Sequence, residues 1–310
     1  MNTEVGERTR VAVVGAGGVG GLLAAEAVAA GHAVALCVRT PLDRLIVERP
    51  DGAHPIDVRI TTDPNGERPV PWVLLATKAQ DTRGAAPWLS RLADAASVVV
   101  VLQNGSDHAA RVAPLVSGAA VLPALVYAAV ERVAPGHIIH HVGHRIVVPA
   151  GELGARFSKL MAGSTAEIVQ ESDFLSAVWR KLLSNAAANP ITALTLQRMR
   201  IMRDPDIRAL ARGLLAEAVM VARAAGARLT MGDVDATLEL YSGYREDGGT
   251  SMLYDRLAGQ RLEHEYITGV IVRTGENYSV DVPLNRAILT LLRALDRGLQ
   301  SGSAVPLTAQ

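Results

Sequence analysis

The sequence predicts an α/β protein with an N-terminal doubly wound parallel sheet and a C-terminal all-helical domain. Three observations lead there. From Arg10 to about Gln170, short, wholly apolar runs alternate with helical segments, the pattern of parallel strands buried on both faces and joined by crossover helices. After Glu171 strand-like alternation gives way to helical periodicity. The length of 310 residues suits two domains, which divide as 1–170 and 171–310.

The elements follow in order. Val11–Val14 reads as the first strand, with a glycine turn after it. An Ala-rich helix then runs from about Val19 to Ala30, and Gly31 stops it. Ala33–Val38, Val70–Ala76 and Ser97–Leu102 read as further strands, with Asp81–Ala95 as a crossover helix. Val121–Pro149 is rich in Val and Ile around a Pro135-Gly136 turn signal and reads as extended strands. A helix at Leu153–Ala162 and a strand at Ala166–Val169 close the first domain. The helical half comprises Phe174–Asn189, Asp204–Gly226, Gly232–Tyr241, Ser251–Ala258, Glu263–Tyr278 and Pro283–Arg297, the last ended by Gly298. Gly259 reads as the stop of the helix before it, and Ser301–Gln310 as a frayed tail.

Composition narrows the function classes. Hydrophobic residues make up 49% and charged residues 20%, ordinary for a globular protein. Lys+Arg and Asp+Glu both number 31, so no basic excess draws the whole molecule to nucleic acid or anionic lipid. Cys37 is the single cysteine and cannot form an internal disulfide. Met1–Arg10 lacks the layout of a signal peptide, and apolar runs are interrupted well before ~18 residues. The expectation is a cytoplasmic protein with no membrane span and no nucleic-acid partner.

Gly15-Ala16-Gly17-Gly18-Val19-Gly20 matches G-x-G-x-x-G between a strand and a helix, the context of a dinucleotide-binding Rossmann turn. Gly15 permits the tight turn, Gly17 the close approach of a pyrophosphate, and Gly20 the packing of helix on strand. The helix N-terminus offers N–H groups and partial positive charge to the phosphates. At the end of the second strand, where an NAD site usually carries Asp or Glu, this chain has Arg39. A cation there suits the 2′-phosphate of NADP. A hydrogen bond to a charged group contributes ~1.5–3 kcal/mol, roughly a 10- to 150-fold preference for NADP over NAD. Lys78 and Asn104 follow predicted strands, at the carboxyl ends where open α/β sheets bind ligands.

In the helical half, Lys181, Asn185 and Asn189 lie at i, i+4 and i+8 of one predicted helix. They would share one face over ~12 Å, with Pro190 ending or bending the helix. Downstream come Thr250-Ser251-Met252 and then Glu263, in the first turn of the next predicted helix, where a carboxylate also suits the dipole.

These motifs together resemble the ketopantoate reductase (2-dehydropantoate 2-reductase) family. They are the glycine turn, Lys78, Gln103-Asn104-Gly105, Trp179-Arg180-Lys181-Leu182 with Asn185 and Asn189-Pro190, and Ser251-Met252 with Glu263. The resemblance implies NADPH-dependent reduction of ketopantoate to pantoate, in pantothenate biosynthesis, by a Rossmann domain and a helical domain. It implies Lys181 as general acid, Glu263 as its electrostatic and substrate-positioning partner, and Asn185, Asn189 and Ser251 as substrate ligands. Asn104 would bridge cofactor and substrate, and Arg39 and Lys78 would serve the adenine-ribose phosphate. A lysine ammonium is protonated at neutral pH and suits a developing alkoxide.

The chain departs from the family where Gln197-Arg198-Met199-Arg200 replaces an Asn-Gly-like step, and where Leu262 and Thr268 replace a usual Thr and Asn. These changes leave a related small 2-oxo acid as an alternative substrate. A second alternative is an NADP-binding sensor without turnover. His137, His140, His141 and His144 would form a metal face on a helix, but Ile138, Ile139 and Val142 favour a strand that scatters them, so no metal is expected. A homodimer is compatible with the sequence.

Overall fold

A computed structural model describes residues 8–301 of the chain; the expected tail at 302–310 lies outside the described residues. Two units emerge among the described residues: the first runs to Gln103 and resumes over 107–174, and the second holds 104–106 and continues from Leu175.

The first unit begins with β1 (Arg10–Val14), α1 (Gly18–Ala29), β2 (Ala33–Cys37), β3 (Leu45–Arg49), β4 (Gly52–Ile56) and β5 (Arg59–Thr61). It continues with β6 (Trp72–Leu75), α2 (Ala86–Leu92), β7 (Val98–Val101), α3 (His108–Val112) and β8 (Ala120–Pro123). It closes with β9 (Leu125–Ala134), β10 (His137–Pro149), α4 (Glu152–Leu160) and β11 (Glu167–Glu171). Six strands form a wholly parallel sheet in the order β5-β2-β1-β6-β7-β8. The chain moves outward from β1 in both directions, as expected of a doubly wound sheet. Val98, Val99, Val100 and Val101 are all buried, because both faces of a parallel sheet are covered.

A second sheet was not foreseen. It runs β11-β10-β3-β4, with β9 pairing β10. In β3, Leu45 and Val47 are wholly buried while their neighbours are half-buried, a period-2 signal in a charged stretch. β4 is mostly exposed and contains Pro55, which only an edge strand tolerates. The Val121–Pro149 stretch is extended as expected, with Gly136 turning at φ +73°. α1 is tied down by Glu26, which is 1% exposed. Its carboxylate pairs with Arg49 at 2.6 Å and accepts from the backbone N–H of Thr165 at 2.8 Å. The expected crossover helix at Asp81–Ala95 is instead a 3-10 segment, Ala79–Ala85, followed by the short α2. Pro87 in the first turn of α2 suits a helix start.

The second unit holds α5 (Phe174–Ala186, whose first residue groups with the first unit), α6 (Ala188–Thr195) and α7 (Pro205–Ala224). After them come α8 (Met231–Ser242), α9 (Ser251–Leu257), α10 (Thr268–Asn277) and α11 (Pro283–Gln300). α7 is central: Ala211, Leu214, Leu215, Ala218, Val221 and Ala222 are wholly buried. Asp204 caps it, accepting from Asp206 N–H and Ile207 N–H at 3.0 Å. Buried Glu217 on α7 accepts from the backbone N–H groups of Leu284 and Asn285, at 2.8 and 2.9 Å. It thereby satisfies donors at the start of α11 that the helix itself leaves open.

Three local expectations are corrected. The helix expected to end at Asn189 breaks at Ala187 and resumes, so Pro190 sits in the first turn of α6, where its missing N–H costs nothing. Glu263 is not in a helical first turn; it precedes a 3-10 turn, His264–Tyr266, and α10 starts only at Thr268. Gly298 does not stop α11, which continues to Gln300 because Leu295 and Leu299 still pack on the core.

Candidate active site

The glycine turn has the local geometry its spacing calls for. Gly15 has φ +105°, and a Cβ there would lie 2.9 Å from Thr77 N. A Cβ on Gly20 would lie 1.9 Å from the Gly15 carbonyl oxygen, so only glycine lets α1 start so close to β1. Gly17 differs, since a Cβ there would meet nothing within 4 Å and its φ of −74° suits any residue. Among the described residues no atom crowds position 17, so the space beside it is available to a ligand. Among the described residues no side chain caps α1, and its first turn carries no acidic residue, so its positive end favours an anion.

Arg39 follows β2 and is exposed. Lys78, after β6, is half-buried and precedes the 3-10 segment. After β7, buried Gln103 joins the ends of neighbouring strands. Its Nε2 donates to Thr77 Oγ1 at 2.8 Å, and its Oε1 accepts from Thr82 Oγ1 at 3.0 Å. Its carbonyl accepts from His108 Nε2 at 2.8 Å. His108 is 2% exposed, and burial pushes its imidazole pKa down to about 4, outweighing the hydrogen bond to Gln103. The ring is therefore neutral near pH 7, with its proton on Nε2. The spacing in the sequence does not single out Gln103 or His108; the one legible signal is a polar residue, Gln103, ending an apolar strand.

In the second unit the Asn104 amide donates to Glu263 Oε2 at 3.0 Å. Glu263 is 4% exposed. The backbone just before it is held by buried Asp296, whose Oδ1 accepts from Leu262 N–H at 2.8 Å. Lys181 and Asn185 are half-buried on α5. Asn189 lies on α6 rather than on the same helix, and is buried with its Nδ2 unpartnered among the described residues. Ser251 is exposed at the start of α9, which Thr250 caps by accepting from Leu253 N–H at 3.2 Å. Thr250 Oγ1 also bonds Thr192 Oγ1 of α6 at 2.7 Å, joining the helices that carry Asn189 and Ser251.

The histidines of β10 are used separately. His137 bonds Glu48 at 3.2 Å, His140 the Gly143 carbonyl at 2.6 Å and His141 Glu131 at 3.1 Å. Among the described residues no group of three His, Cys, Asp or Glu side chains is arranged to hold a metal ion.

Residues 11–152 match the family model described as ketopantoate reductase PanE/ApbA, and residues 173–296 match the model of its C-terminal part. This chain belongs to the ketopantoate reductase family. It is 37% identical over 290 residues to the 2-dehydropantoate 2-reductase of Caulobacter vibrioides, covering 92% of this chain and 99% of that one. It is 39% identical over 293 residues to the enzyme of that name from Mycobacterium tuberculosis, covering 94% and 99%. A dimeric ketopantoate reductase from Staphylococcus aureus superposes with a TM-score of 0.85 at 29% identity, over 94% of this chain and 99% of that one. Ketopantoate reductases are oxidoreductases that use NADPH. The residues present fit that cofactor, with an uncrowded Gly17, an uncapped α1 N-terminus and a cation, Arg39, after β2.

Proposed function

We propose that this protein reduces 2-dehydropantoate to pantoate with NADPH, as a step of pantothenate biosynthesis. The observation that carries the reading is the match, at 37% and 39% identity along more than nine-tenths of the chain, to proteins named 2-dehydropantoate 2-reductase.

In this reading the domain at 1–170 binds NADP through Gly15, Ala16, Gly17, Gly18, Val19 and Gly20, whose backbone N–H groups hold the pyrophosphate. Arg39 and Lys78 hold the adenosine-side phosphate, and Asn104 serves both cofactor and keto acid. The domain at 171–310 supplies substrate binding and proton transfer. Bound NADPH supplies the hydride that reduces the C2 carbonyl carbon. As the carbonyl π pair moves onto oxygen, Lys181 Nζ donates a proton to it, completing the hydroxyl of pantoate. Glu263 orients the keto acid and balances the Lys181 ammonium, while Asn104 orients Glu263. Asn185 and Asn189 bind the hydroxyl end of the substrate and Ser251 its carboxylate. The unpartnered amide nitrogen of Asn189 supports this, since a buried donor without a partner costs ~1–3 kcal/mol.

A second reading, reduction of another small 2-oxo acid, rests on Leu262 and Thr268, which stand where the family usually has Thr and Asn. A homodimer accords with the proposal, given the dimeric Staphylococcus aureus relative. So does a cytoplasmic setting, which is general for the biosynthetic relatives. Among the described residues no helix is long and apolar enough to cross a membrane.

The test follows loss of NADPH absorbance with 2-dehydropantoate and a panel of small 2-oxo acids, repeated with NADH. The highest kcat/KM is expected for 2-dehydropantoate with NADPH. A higher value for another acid would reassign the substrate. NADPH binding without turnover on any acid would leave a sensor.

A further inference from the structure

Tyr241 lies on α8, 2% exposed, with its hydroxyl at the break between α5 and α6. The hydroxyl donates to the Leu183 carbonyl at 2.9 Å and accepts from Ala188 N–H at 3.4 Å. In an unbroken helix Ala188 N–H would reach the Ser184 carbonyl, four residues back. One side chain from another helix thus partners two of the backbone groups freed by the break, a side-chain insertion of the kind that accounts for helix kinks. Burial raises the phenol pKa, so the hydroxyl keeps its proton and its donor role throughout the neutral range.

The break separates the residues assigned to the substrate. Lys181 and Asn185 precede it and Asn189 follows it. Asn189 is 3% exposed with its Nδ2 unpartnered among the described residues, so a small change in the angle of α6 changes where a buried donor points. We propose that Tyr241 is a positioning residue for keto-acid binding: its hydroxyl sets the angle between α5 and α6, and with it the place of the Asn189 amide relative to Lys181 and Asn185. The inference rests on the reductase reading of those three residues.

The experiment compares wild type, Tyr241→Phe, Asn189→Ala and the double variant, measuring KM for the keto acid, KM for NADPH, kcat and melting temperature. Tyr241→Phe keeps the ring and removes only the hydroxyl. It is expected to raise KM for the keto acid about tenfold, the effect of ~1.4 kcal/mol, with KM for NADPH unchanged. The double variant is expected to match Asn189→Ala alone, because a residue acting through Asn189 has nothing left to position. Leu238→Val, in the core one turn earlier on α8, serves as a stability control and is expected to lower the melting temperature with KM unchanged. A merely structural Tyr241 would behave like Leu238→Val, or would add its effect fully to that of Asn189→Ala; either result overturns the proposal. Wild type without turnover on any keto acid would overturn the reductase reading and this proposal with it. An active wild type with an unaltered Tyr241→Phe overturns this proposal alone.

Discussion

The side-chain amide of Asn104 donates to Glu263 Oε2 over 3.0 Å, although 159 residues separate them in the chain. The carboxylate is almost wholly buried, so each donor to it matters. Glu263→Gln keeps the shape and removes the charge. It is expected to lower kcat/KM about 100-fold or more, with NADPH affinity by fluorescence titration unchanged. Asn104→Ala, which takes one donor from the buried carboxylate, is expected to cost ~1–3 kcal/mol of stability in urea unfolding.

Lys181 carries the proton in the proposed reaction. Lys181→Ala is expected to lower kcat by ~10²–10⁴-fold while NADPH binds as tightly as to wild type. An equal loss of NADPH affinity would mean that the side chain serves the cofactor instead.

The two glycines of the turn separate folding from binding. Gly20→Ala places a Cβ 1.9 Å from the Gly15 carbonyl, so a large fall in melting temperature is expected. Gly17→Ala meets no protein atom within 4 Å. It is expected to hold or raise stability by about 0.4–1 kcal/mol through the unfolded chain, and yet to weaken NADPH binding at least tenfold in a titration. Unchanged NADPH affinity in Gly17→Ala would refute pyrophosphate binding at this turn.

Arg39 sets the expected cofactor preference. Arg39→Asp is expected to shift the ratio of kcat/KM for NADPH over NADH toward NADH by roughly 10- to 150-fold. A ratio that does not move would show Arg39 to be an ordinary solvated side chain.

His108 gives folding a pH dependence. Its pKa in the folded protein is about 4, against 6.5 for the ordinary imidazole. Between those values the unfolded chain binds a proton that the folded one does not, so stability is complete above about pH 6.5 and is lost as pH falls toward 4. The span corresponds to about 3 kcal/mol. Urea midpoints measured from pH 7 to 4 should fall in wild type and fall less in His108→Gln, which can still donate to the Gln103 carbonyl.

Much of the first unit was legible because its signals are local. Val98–Val101 is apolar at every position, and the glycines of the first turn are dictated by atoms a few residues away, as the clash between a Gly20 Cβ and the Gly15 carbonyl makes plain. The second sheet was missed because β3 is five residues long, charged at one end, and paired with a Pro-bearing edge strand. Short strands take their identity from their partners, and β10 lies some 90 residues beyond β3 in the chain.

The sequence by itself determined the alternation of strand and helix, the glycine turn, and which polar residues stand in the helical half, since each follows from side-chain type at fixed spacing. Only the tertiary structure decided that Lys181 and Asn189 occupy different helices, and that Glu263 sits buried before a 3-10 turn beside Asn104. The partners responsible are remote: Tyr241 lies 58 residues from Leu183, and Asp296 lies 34 from Leu262. Hydrogen bonds to buried backbone groups redirect a chain wherever they form, and no local periodicity records them.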